Sequence, residues 1–456
     1  MLVLSVVINT VNNSNLGSTL SSGTKSMSKE FGITSKLVLV LPGSMYLLGY
    51  VFGPMITAPM SEFHGRKMVL LGSFTVYTIA TLACGLAPNM MALIIFRFIM
   101  GLGAATPLSV IGGTAADLFP DPIDRGRAIG FFVTAAGFGQ AIGAILAGYL
   151  SVQSWSLPYF AALTIALASL VLCALNPETF QPILLKNRAK RMRLVNGERV
   201  FAPIELKGRK SVQEVAREQL GVPFRMLFKE ILVSFSSLYL ALVYGIYYLF
   251  FQAYHKVYED GFKLSSGEAG LTFIAAGLGG VIAFGIQWIF ERRIRRIEKW
   301  GGTMRIQNKD DRRRLPLACL AGPFFILSMF WTGTTASHPQ SAPVMVTVLA
   351  VVPFGIGYNL IFISLSNYLI DSYEVYAASA MAATSASRSL LAAGLPLCTE
   401  ALYGGLGIQW GFYLLGFVMI GLSVVPFAFL KFGPRLRKRS DLFQELRRKA
   451  EAESAS

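Results

Sequence analysis

Two arginines stand well inside apolar runs. Arg97 lies about eight residues deep in Met91-Ala-Leu-Ile-Ile-Phe-Arg97-Phe-Ile-Met-Gly101-Leu-Gly103, and Arg388 lies near the middle of the run 377–401. A guanidinium in hydrocarbon costs about 2.5–3.5 kcal/mol on insertion scales, so each must face a cavity or a partner rather than lipid. If both face one cavity, its potential is positive where screening is weak, which favours neutral or anionic organic cargo over polycations. The amides Gln140, Asn359 and Asn367 also lie in apolar runs, where an unpartnered amide is costly. Tyr244 and Tyr248 belong to a stripe at helical spacing with Tyr247, Phe251 and Tyr254. Such a stripe suits plain packing as well as binding, but tyrosine hydroxyls are disfavoured in lipid. These seven residues (Arg97, Gln140, Tyr244, Tyr248, Asn359, Asn367 and Arg388) are the candidates to line a substrate cavity.

A second group could switch conformation. Glu62-Phe-His-Gly65-Arg66-Lys67 joins two apolar runs in a tight turn. Its acid suits a helix N-terminus, and its bases suit a carboxylate such as Asp117. A solvated basic loop would have the same composition. Asp371 ends a later run as Asp117 ends an earlier one. Gly139, Gly143 and Gly148 let a neighbouring helix come close. No catalytic triad, redox motif or phosphate loop accompanies these residues, so no enzyme is expected and ATP-driven transport has no machinery here. Four cysteines lie in apolar runs without ligand spacing, and with three histidines no metal site or cofactor is expected.

Long apolar elements must position all of this. Of 456 residues, 54% are hydrophobic and 14% charged, with a mean hydropathy of +0.54. A soluble chain would carry about a quarter charged residues. Apolar runs near 1–22, 36–60, 68–87, 91–115, 128–150 and 157–175 are followed by six more near 231–255, 269–290, 315–334, 343–370, 377–401 and 409–431. The first reads as a span rather than a signal peptide, since no basic region precedes it. The expectation is an all-α membrane protein with twelve transmembrane helices in two six-helix bundles, 1–175 and 231–431. Between them lies a cytosolic central loop, 176–230, and after them a cytosolic tail, 432–456.

Charge orients the chain. The net charge of +16 would suggest nucleic acid in a soluble protein, but here it reads as positive-inside flanks, with no nucleic-acid partner. With both ends cytosolic, outside segments keep only Lys25, Lys29, Lys36, Lys256 and Lys263. The halves also resemble each other. Gly101-Leu-Gly103 matches Gly355-Ile-Gly357, and Asp117 matches Asp371, each 254 positions on; Ala135-Ala-Gly137 matches Ala392-Ala-Gly394. Duplicated halves enclose a central cavity that opens to either side by rocking.

The chain resembles the major facilitator superfamily, and within it the fungal twelve-spanner drug:proton antiporters, over residues 31–440. Ser61-Glu-Phe-His-Gly-Arg-Lys67 is similar to that family's loop motif, Arg97 with Gly101 to its span-four motif, and Gly139 to Gly148 to its span-five antiporter motif. Further matches are Pro177-Glu-Thr-Phe-Gln-Pro, Tyr244-Gly-Ile-Tyr-Tyr248, Asn367-Tyr-Leu-Ile-Asp371 and Tyr376-Ala-Ala-Ser-Ala380 with Arg388-Ser389. Ala58 replaces the usual first glycine of the loop motif, and Gln140 and Ala144 replace prolines of the antiporter motif. The resemblance implies a monomeric, proton-driven exporter of xenobiotics or a fungal secondary metabolite in the plasma membrane. Its partners would be small organic cargo, protons and the lipid bilayer; an uptake symporter or facilitator of the same fold is the alternative.

Overall fold

In a computed structural model, the described residues are 16–18, 20, 24–107, 110, 114, 118–119, 121–196, 200–202, 205, 212–299, 314–373 and 377–438. Most of the expected first span, and Asp117, lie outside them. Helices run α1 (Thr24–Phe31), α2 (Lys36–His64), α3 (Arg66–Gly85), α4 (Met90–Ala104), α5 (Pro122–Leu150) and α6 (Leu157–Leu175). Then come α7 (Gln181–Asn196) and α8 (Val212–Lys229), which occupy the polar stretch between the halves. The second half holds α9 (Ile231–Tyr254), α10 (Ser266–Leu271), α11 (Ile274–Lys299), α12 (Leu315–Ala336), α13 (Val344–Tyr373), α14 (Ala377–Gly394) and α15 (Gly407–Lys438). Among the described residues nine helical stretches are long and apolar enough to cross a membrane, and α4 is a shorter apolar helix.

Local chemistry explains the ends. Asn89 caps α4 by accepting from the Ala92 amide at 2.9 Å, and α5 and α6 open with proline, whose missing N–H costs nothing in a first turn. Ser265 and Glu268 form a reciprocal capping box that starts α10. Two expected spans are interrupted. The run 269–290 begins as α10, breaks at Thr272 and Phe273, and continues as α11 beyond the apolar stretch. The run 377–401 leaves the α-helix at Gly394, where Pro396 cannot donate to the ladder, and passes through a 3₁₀ turn (Leu395–Cys398) into a π turn (Glu400–Gly405).

The sequence repeat is a repeat of contacts. A Cβ on Gly101 would strike the Tyr46 carbonyl of α2, and one on Gly103 would meet the α3 backbone at Ser73 and Tyr77. In the other half a Cβ on Gly355 would strike the Ala276 carbonyl of α11, and one on Gly357 would meet Phe325 of α12. Helix α4 therefore packs on α2 and α3 as α13 packs on α11 and α12. The halves meet along two seams, α5 against α10 and α11, and α2 against α14. Helices α9 and α13 are the most buried spans, and α6 and α15 the least.

Candidate functional site

At mid-height a polar chain crosses between the halves. Gln140 of α5 donates through Nε2 to the Tyr248 hydroxyl of α9 at 3.0 Å, and Tyr248 lies 3.3 Å from the Tyr244 hydroxyl. The Arg388 guanidinium of α14 stacks over the Tyr244 ring at 4.9 Å and the Phe362 ring at 4.8 Å. Arg388 is 2% exposed, and its Nη2 donates to Ser385 Oγ at 3.2 Å. Tyr358 stacks on Tyr244 and packs against Tyr247, extending an aromatic wall along α9 and α13. Four of the seven expected cavity residues, Gln140, Tyr244, Tyr248 and Arg388, thus come together.

The other three do not join them. Arg97 is fully buried in the first half, donating to the carbonyls of Gly17 at 2.6 Å, Pro42 at 3.2 Å and Ser18 at 3.5 Å. Its guanidinium also sits over the Tyr46 ring at 4.8 Å. Backbone dipoles neutralise it, so it packs a bundle instead of lining a path. Asn359 and Asn367 donate to carbonyls of their own helix, Gly355 at 2.9 Å and Ile363 at 3.0 Å. Asn359 faces α11 at Gly280, where the missing side chain leaves it room. Gly139 and Gly143 are buried in α5, and a Cβ on Gly148 would strike the Ser266 carbonyl of α10.

Two clasps close the halves above and below this centre. At the end carrying α7 and α8, four arginines meet four carboxylates. Arg125 reaches Asp371 at 3.4 Å, Arg127 reaches Glu291 at 3.3 Å, and Arg295 reaches Asp121 at 2.7 Å and Asp124 at 2.6 Å, all between halves. Arg314 ties Asp371 and Glu291 together within the second half, at 3.1 Å each. Gln287 donates to the Gly126 carbonyl at 3.1 Å and to Glu291 at 3.0 Å. Gly126 and Gly130 must lack side chains, because a Cβ would meet Arg314 or Gln287. At the opposite end Lys25 pairs with Glu259, which also takes His255 at 2.8 Å, while Glu400 accepts Lys36 at 3.1 Å and Lys256 at 3.0 Å.

The tight turn differs from its expected role. Glu62 lies in the last turn of α2, not at a helix start, and its side chain is outside the described residues. The acid at the α3 N-terminus is Glu178, whose carboxylate accepts the amides of Arg66 at 2.9 Å and Lys67 at 3.1 Å. Gly65, at φ +94°, is required there, since a Cβ would collide with Glu178. Arg66 donates to Ser61 Oγ at 2.8 Å and stacks over Phe180 at 4.9 Å. Of the expected switch residues, Asp371 alone is described in the clasp between halves. Sequence reasoning missed Arg125, Arg127, Arg295 and Arg314 by counting them as basic flanks, and passed over Glu291; acids embedded in basic clusters were the available signal.

Two clasped helical bundles around a central polar site define a membrane transporter fold of the alternating-access class. The model of the Major Facilitator Superfamily matches residues 2–396, and the chain belongs to that superfamily. It is 34% identical over 433 residues to the MFS-type efflux pump MFS2 of Trichophyton rubrum, covering 93% of this chain and 70% of that protein. It is 34% identical to the efflux pump FUBT of Fusarium oxysporum, covering 94% and 71%. Among solved structures, the proton:xylose symporter XylE aligns with a TM-score of 0.67 at 17% identity, over 94% of this chain and 95% of that one, a likeness of fold. The chain is a multi-pass membrane protein.

Proposed function

We propose that the chain is a secondary active exporter of small organic molecules, xenobiotics or a fungal secondary metabolite, driven by the proton gradient across the plasma membrane. The observation that carries this reading is the polar centre held between two clasps: cargo can leave only when one clasp opens while the other holds. Relatives named as efflux pumps support the outward direction. The basic end, with 176–230 and the tail 432–456, is cytosolic by the positive-inside rule, and the units 1–175 and 231–431 rock as a monomer. Glu259 and Glu291 are the buried carboxylates of the two clasps, one at each end. The test uses the full chain in inside-out vesicles and a panel of labelled organic compounds. Uptake driven by an acidic lumen and abolished by a protonophore is the expected result. Uptake driven only by an alkaline lumen would make the protein a symporter, and gradient-independent flux would make it a facilitator.

A further inference from the structure

Arg97 and Arg388 are both buried, yet only one is neutralised. Three main-chain carbonyls surround Arg97. Arg388 has two rings, one hydroxyl, and an Nε buried with no hydrogen-bond partner. Among the described residues no carboxylate pairs with it. Ring faces attract a guanidinium but accept none of its directional hydrogen bonds, and a buried charge without a hydrogen-bonded partner is unfavourable. The fold solves this problem for Arg97 with its own backbone and leaves it open for Arg388.

The neighbouring hydrogen bonds leave a donor facing the same place. Gln140 donates to the Tyr248 hydroxyl, which lies 3.3 Å from the Tyr244 hydroxyl, and either member of that tyrosine pair can be the donor. When Tyr248 is the donor, the Tyr244 hydroxyl proton is free for an outside acceptor, and it belongs to the ring that carries the guanidinium. A fork of N–H donors and a phenol O–H converge beside flat aromatic walls formed by Tyr244, Tyr358 and Phe362. Planar anions with two acceptor oxygens complete such an arrangement.

We propose that Arg388, with Tyr244 and the Gln140–Tyr248 pair behind it, forms a binding site for the carboxylate of a planar aromatic acid, which is the cargo class of this transporter. This rests on the export reading above and deepens it. Both direct anion contacts, Arg388 and Tyr244, belong to the second half, and Gln140 of the first half supports them through Tyr248.

The test uses the full-length chain in proteoliposomes with an imposed pH gradient. The probes are benzoate, salicylate and naphthoate, each beside its neutral primary amide, with tetraphenylphosphonium as the cation. Wild-type protein should carry at least one acid at least about tenfold better than its amide, in line with charge-assisted hydrogen bonds. Arg388→Gln should erase that preference. Arg388→Lys, which keeps the charge but loses the planar fork, should recover part of it, and Tyr244→Phe should weaken acid transport about threefold to tenfold. Monodispersity of each variant in detergent separates loss of transport from loss of fold. If Arg388→Gln fails that check, the lysine and phenylalanine variants decide, and an unchanged acid-to-amide ratio in both overturns the site. Gradient-driven transport of the amides or the cation without the acids overturns the anion site and leaves export standing. Transport of no probe overturns this cargo class, and export itself is then judged on the wider panel.

Discussion

The two clasps use different chemistry at different depths. At the basic end, arginine forks meet carboxylates in partly buried positions; the Glu291 side chain is 4% exposed and Arg314 is 11% exposed. At the opposite end the cations are lysines on flexible stems, and Lys36 is 68% and Glu400 51% exposed. Exposed lysine pairs contribute about 0–1 kcal/mol, whereas removing one partner of a buried pair costs about 3–5 kcal/mol. The ends are therefore unequal locks. The exposed Lys36–Glu400 pair is the weaker contact, and the lysine end keeps a buried carboxylate in Glu259.

The sharpest way to break that asymmetry is at Glu291. Glu291→Ala leaves Arg314 with Asp371 and Arg127 with Asp124 as their remaining partners, and about 1–3 kcal/mol of stability should be lost, read as a lower melting temperature. Next in size is Asp371→Asn, which weakens the cross-link from Arg125 and Arg314. A cysteine placed at Thr134 should then react roughly tenfold faster with an impermeant maleimide applied from the basic end, with little change in melting. Equal rates would mean that the arginine clasp does not set access. Glu259→Gln should loosen the lysine end several-fold, read by labelling a cysteine at Thr272 from that side. The smallest effect belongs to Lys36→Gln, within about 0.5 kcal/mol by thermal melting.

Acidity sharpens the contrast in one more way. The hydrogen bond to Glu259 raises the Lys25 ammonium above its ordinary value. A raised lysine contributes its stabilisation fully below its unfolded value and loses it only as pH climbs through the folded one. Lysine deprotonation should therefore not open this end between about pH 6 and 9, and added salt should weaken it instead. A labelling rate at Thr272→Cys that rises from about pH 7 to 9 in constant salt by more than the rate of the same cysteine in the denatured chain, where only thiolate formation acts, would contradict this.

Much of the fold was legible because it is written in short spacings. The glycine pairs 101/103 and 355/357 report close helix approach at matching places in both halves, and the apolar runs report the spans. The interruptions at 272–273 and after Gly394 escaped detection, since apolar residues continue through both breaks. Site residues were harder, for a physical reason. Arg97 and Arg388 look alike along the chain. What separates them is the company of Gly17, Ser18 and Pro42, residues far from Arg97 in sequence whose contribution is a carbonyl and not a side chain. Glu178 likewise meets Arg66 across 112 positions, and an acid before Thr-Phe gives no hint that it will cap a distant helix. Gln140, Tyr244 and Tyr248 were found because each is polar where lipid would reject it.

The carbonyl cage of Arg97 also constrains time. The three carbonyls described around it come from α2 and from the segment before α1, so they are made before α4 itself leaves the ribosome. The arginine of α4 thus meets a prepared receptor, and its helix can leave the insertion machinery without waiting for later spans. Arg388 has no such receptor from the segments before it. The first bundle can close on its own during synthesis, while the second finishes with a charge still seeking a mate.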